Sequence, residues 1–152
     1  MASQYSSGTT PTTPATGGSA GIVGAENDVR TGPGPEVMAA STLEGNDVVN
    51  SQGEDLGKIK EIMLDVMGGR IAYAVLSSGG FLGIGDKLFA IPWGALVLDT
   101  DRKCFILDVD KDRLKNAPGF DKDHWPSMAD TTWANEIHAY YGQRGYWLGR
   151  EL

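Results

Sequence analysis

At 152 residues with a net charge of −7, from 20 acidic against 13 basic side chains, the chain has room for one hydrophobic core and tends to repel phosphate backbones, so a second domain and direct nucleic-acid binding are disfavoured. Cys104 is the only cysteine. Neither an internal disulfide nor paired-thiol redox chemistry nor a cysteine-rich zinc site is available to it, which fits a reducing cytoplasm.

Residues 1–42 are expected to form a disordered tail. From Ala2 to about Ala40 the sequence is Ser, Thr, Gly, Pro and Ala, with Pro11, Pro14, Pro33 and Pro35 spaced through it, a composition that buries too little apolar surface to offset its ordering entropy. Ile22, Val23, Val29, Val37 and Met38 are the exceptions, and scattered aliphatics in such a stretch dock weakly, act as a linear motif or, as expected here, do nothing. Arg30 stands against Glu26, Asp28 and Glu36 in the tail, which leaves 12 basic and 17 acidic residues for the remainder. The expected globular part is therefore itself acidic. No basic and then apolar segment follows Met1, and stretches such as Ile71 to Leu76 are too short to cross a bilayer, so neither a signal peptide nor a membrane anchor is expected.

Residues 43–110 read as short apolar runs punctuated by turns, the pattern of a small antiparallel β-barrel or sandwich. Val48 and Val49 are a first strand, Ser51-Gln52-Gly53 a turn, and Leu56 to Asp65 a longer strand in which a bulge between Ile59 and Ile62 accounts for a change of phase. Gly68-Gly69 closes a hairpin, and Ile71 to Ser77 returns with both faces apolar, as in a strand covered on each side. Leu88 to Ile91 is ended by Pro92, and Val97 to Asp99 pairs with Cys104 to Val109 across the tip Thr100 to Lys103.

Residues 111–152 are expected to be helical and packed on the barrel. Asp110 caps a brief helix over Lys111 to Asn116, stopped by Pro118-Gly119. Asp130 caps a longer one, with Trp133, Ile137, Tyr140 and Tyr141 as its apolar stripe and Gly142 at its end.

No catalytic constellation emerges. Gly79 to Lys87 is glycine-rich, but a strand is expected to follow it where a phosphate loop needs a helix, and Asp86 adds negative charge. Phe81, Leu82 and Ile84 in that loop either plug the barrel mouth or face a partner, with Asp86 and Lys87 as a polar rim. His124 and His138 lack a nucleophile or matching ligand spacing, and surface or packing roles are expected. Cys104 reads as a small buried apolar residue. Tyr146 and Trp147 stand between packing and interface.

Several segments together resemble the PRC-barrel domain family: Asp47-Val48-Val49, Gly53 to Ile59, Gly69 to Val75, and Leu88-Phe89-Ala90-Ile91-Pro92-Trp93. Gly79 to Lys87 and Asn116-Ala117-Pro118-Gly119-Phe120 are similar to stand-alone bacterial members. This small barrel is shared by the cytoplasmic part of the photosynthetic reaction centre H subunit and the C-terminal domain of a ribosome maturation factor. The chain departs from the first in lacking a membrane helix and from the second in lacking its N-terminal domain, so neither role carries over.

What the resemblance implies is a non-catalytic, protein-binding barrel; the residues themselves suggest no cofactor or metal, and the single cysteine and short apolar runs lead to an expected place in the cytoplasm, off the membrane. The expected function is an adaptor for a protein partner, self-associating as a homodimer, with Phe81, Leu82, Ile84, Asp86, Lys87, Tyr146 and Trp147 as candidate contacts. The alternatives are a ribosome- or RNA-processing factor that binds a basic ribosomal protein, and a small-ligand sensor.

Overall fold

The computed structural model describes residues 20–23, 37–79 and 86–147. Among them are strands β1 (Gly21–Val23), β2 (Asp47–Val49), β3 (Asp55–Asp65), β4 (Arg70–Ser77), β5 (Leu88–Pro92), β6 (Leu96–Asp99) and β7 (Cys104–Leu107), and helices α1 (Ala40–Leu43), α2 (Lys111–Lys115) and α3 (Thr131–Tyr140). Within the residues expected as tail, Gly21–Val23 is thus a strand, and Met38 packs against the core.

The turns follow from local chemistry. Between β2 and β3 the buried Asn50 accepts the backbone N–H groups of Gln52 and Glu54 on Oδ1, at 3.1 and 2.9 Å, and gives its amide to the Glu54 carboxylate at 2.8 Å. A buried amide is tolerable because its hydrogen bonds are made. Between β6 and β7 the Asp99 carboxylate takes the N–H groups of Asp101 and Arg102, each at 3.1 Å. The expected bulge is present as a register shift between Ile59 and Glu61, and a second lies between Met63 and Leu64.

Strand order corrects the expected antiparallel barrel. The seven strands form one mixed sheet, β1-β6-β7-β2-β3-β4-β5, in which β1 lies parallel to β6 and β2 parallel to β7. The hairpins visible in the sequence are antiparallel because a short turn allows nothing else, whereas these two pairs join segments far apart in the chain. Nor is the sheet closed among the described residues: β5 passes through a 3-10 turn, Trp93–Ala95, into β6, and no ladder joins the two. The β5 edge is partly covered instead by Phe120, whose N–H and C=O both bond to Leu88, at 2.9 and 2.8 Å.

The open sheet still curls around one core. Val48, Leu56, Ile59, Ala74, Leu76, Phe89, Ile91, Leu96, Leu98, Phe105 and Leu107 from six strands meet there, joined by Leu43 of α1 and Leu114 of α2. Each large side chain fully withdrawn from water contributes about 1.5–3 kcal/mol. Cys104 is buried, as expected, and burial pushes its thiol pKa up.

A second, smaller cluster sits elsewhere on the sheet, where Ile137 of α3 packs with Ala72, Tyr73 and Ala90. Asp110 and Asp130 cap α2 and α3 as expected, accepting Arg113 N–H at 2.7 Å and Thr132 N–H at 2.9 Å. The two helices are tied together: the Tyr140 hydroxyl donates to the Arg113 carbonyl at 2.6 Å, while the Arg113 guanidinium lies over the Tyr140 ring and donates to its carbonyl. No helix among the described residues is long and apolar enough to cross a membrane.

Candidate interaction surfaces

The residues expected as contacts separate into distinct places. Phe81, Leu82 and Ile84 lie outside the described residues. Asp86 and Lys87, with Phe120 and Asp121, line a shallow cavity of about 380 Å³. The Asp86 carboxylate takes the Ser77 hydroxyl at 2.9 Å, and the Lys87 ammonium sits 5.3 Å from the centre of the Phe89 ring. Asp121 holds the exposed His124 ring at 2.9 Å, a contact that lowers the pKa of the carboxyl. The cavity therefore presents both charges on an open rim.

Tyr146 and Trp147 stand with α3 instead. Their rings meet edge to face at 5.0 Å, and both pack on His138, with centroids at 5.8 and 5.1 Å. Tyr73 completes the group, 5.4 Å from His138 and 5.8 Å from Tyr146. Burial pushes the Tyr73 phenol well above its ordinary pKa, and among the described residues its hydroxyl has no hydrogen-bond partner. His138 is buried, with Nδ1 2.8 Å from the Ala134 carbonyl. A carbonyl only accepts, so Nδ1 carries the proton of a neutral ring. Burial also lowers the pKa of His138.

That shift sets a pH dependence. In the window between the depressed folded pKa and the ordinary value of about 6.5 the unfolded chain binds the extra proton, so stability rises with pH there and levels off above it. We expect the melting temperature to fall on acidification below about pH 6.5 and this part of the slope to vanish in His138→Leu. Equal slopes in the two proteins would place the acid sensitivity elsewhere.

A third place was not anticipated. The β3–β4 turn projects Val66 and Met67, 83 % and 93 % exposed, beside Leu64 at 61 %. Single exposed aliphatics mean little, but three together at a projecting tip are a different matter. The tip is held firmly. Asp65 accepts the Gly68 N–H at 3.1 Å on Oδ1, pairs with Arg70 Nε at 3.0 Å through Oδ2, and takes the Gly69 N–H on its carbonyl at 2.9 Å.

Glycine suits both positions: a Cβ on Gly68 would fall 2.3 Å from Asp65 Oδ2 and displace that carboxylate from its place, and Gly69 has φ +67°. Arg70 then reaches Tyr146, donating to its carbonyl at 2.6 Å with the guanidinium 5.2 Å from the ring centre. The turn is thus braced against the C-terminal aromatic cluster while its apolar side chains point to water. A sequence signal existed: two large aliphatics inside a turn, bounded by an Asp and two glycines.

Among the described residues no group of three or more His, Cys, Asp or Glu could hold a metal ion. Comparison with known proteins adds one finding. The family model described as PRC-barrel domain matches residues 35–114, just over half of the chain. No curated protein matches the chain.

Proposed function

The chain belongs to the PRC-barrel domain family, and from that membership we propose that it is a non-catalytic adaptor that binds protein, including a second copy of itself. The observation that supports this reading is the braced tip at Val66 and Met67. A rigid turn that exposes aliphatic side chains loses little conformational entropy on docking, so their burial goes largely into affinity. Arg70 and Asp65 beneath them supply the polar surround that fixes orientation.

The test is the double substitution V66S/M67S, followed by sedimentation over a wide concentration range. We expect self-association to weaken at least tenfold while the stability to unfolding stays within the change of about 0.5 kcal/mol usual for surface positions. If the wild type sediments only as the 16.2 kDa species at every concentration, or the variant associates as the wild type does, the tip is not a self-contact.

A further inference from the structure

The outer edge of β6 carries β1 in parallel, with Gly21, Ile22 and Val23 opposite Val97, Leu98 and Asp99. Thr100 fixes the register, donating its N–H to the Val23 carbonyl at 3.0 Å and its hydroxyl to the same oxygen at 3.2 Å. Yet β1 is only three residues long, Ile22 and Val23 remain 38 % and 42 % exposed, and neither belongs to a core cluster. Main-chain pairing fixes the register, as it does for any added strand, and the half-covered Ile22 and Val23 supply the side-chain part of the contact.

We propose that the β6 edge is a strand-accepting site for an extended segment of a partner protein bearing two adjacent aliphatic residues after a glycine, and that Gly21–Val23 keeps it covered in cis. The seated segment displays the chemistry of the occupant. Its covalent attachment gives it an effective concentration of order millimolar, enough to hold a pairing this short and to exclude weak competitors. A second copy is the poorer occupant, because its own segment is engaged in the same way. The proposal is independent of the Val66–Met67 tip.

The N–H and C=O of one strand residue face the same side, so Val23, whose carbonyl bonds to Thr100, also directs its N–H at β6. Val23→Pro in the full chain removes that donor and leaves the β6 edge intact. Gly21→Pro, two residues away on the same side, is the second variant. Both should keep the wild-type melting temperature.

The probe is a synthetic peptide of residues 17–27, added to isotope-labelled protein while the amides of Val97 to Thr100 are followed by NMR. Both variants should bind it at least tenfold more tightly than the wild type does, and a peptide with proline in place of Val23 should leave them unmoved. V66S/M67S added to Val23→Pro should not alter the response. Equal binding by wild type and variants, or none by either variant, overturns the proposal. So does a shift of the Val97 to Thr100 amides in the triple variant Val23→Pro/V66S/M67S on adding the wild-type chain, at concentrations as low as for the peptide, since the occupant of the edge would then be a second copy.

Discussion

Among the described glycines Gly57→Ala is expected to be the most damaging substitution, costing about 3–5 kcal/mol, near the top of the range for point changes. Gly57 sits in β3 opposite Val48 of β2, next to the Lys58–Ser77 pair with β4. Its φ is +140°, which side-chain-bearing residues rarely adopt, and an added Cβ would lie 2.2 Å from the Ser77 carbonyl oxygen and 3.1 Å from Leu76 Cδ1. The first of these atoms is backbone, so it has no rotamer to move to. Relief requires β3 and β4 to part at the Lys58–Ser77 pair.

Gly53→Ala is the control. Gly53 has a positive φ of +82°, but nothing lies within 4 Å of its virtual Cβ, so only the left-handed backbone penalty of roughly 1–2 kcal/mol remains. Denaturant melts of the two variants should therefore differ severalfold in stability loss. If Gly57→Ala costs no more than Gly53→Ala, the close approach of β3 to β4 is absent in solution.

The elements whose signals are local were legible from the residues. Asp110 and Asp130 before amphipathic runs announced caps, and both carboxylates accept the expected N–H groups. Gly142 takes φ +68° just beyond α3, and the change of phase after Ile59 is a bulge. Each of these is decided within four or five residues, by chemistry that no distant partner alters.

Pairings between remote segments were not legible. Ile22 with Leu98 and Val48 with Phe105 are parallel contacts between stretches that alternation describes equally well as antiparallel partners. Periodicity states which face of a strand is apolar and is silent about its neighbour. The same limit applied to His138. Helical spacing placed it beside Ile137, but its burial comes from Tyr73, Tyr146 and Trp147, which lie outside the helix. For the tip, the signal was present at Asp65 to Gly69 and was absorbed by the reading of Gly68-Gly69 as a turn. Glycine accounts for the path of the chain there and leaves unexplained why Val66 and Met67 should occupy it.

Ile137→Ala is expected to cost about 2–5 kcal/mol, as for other fully buried aliphatics, and to act on the C-terminal layer first. Ile137 is the α3 side chain buried against Ala72, Tyr73 and Ala90. Trp133, placed on the same stripe by sequence spacing, is only partly buried and meets Tyr73 edge to face at 5.3 Å, so Trp133→Ala should cost less than Ile137→Ala despite removing more atoms. The inner core takes no side chain from α3 up to Ala139; Tyr140 and Tyr141 at its end pack against that core only partly buried. Loss of Ile137 should therefore loosen α3 and the Tyr146–Trp147 segment before the sheet gives way. Near-ultraviolet circular dichroism should lose aromatic signal at a lower denaturant concentration than the far-ultraviolet β signal is lost, and protease should cut after residue 120 before it cuts the strands. Coincident transitions at both wavelengths, with no early cleavage, would mean that the helical layer and the sheet unfold as one unit.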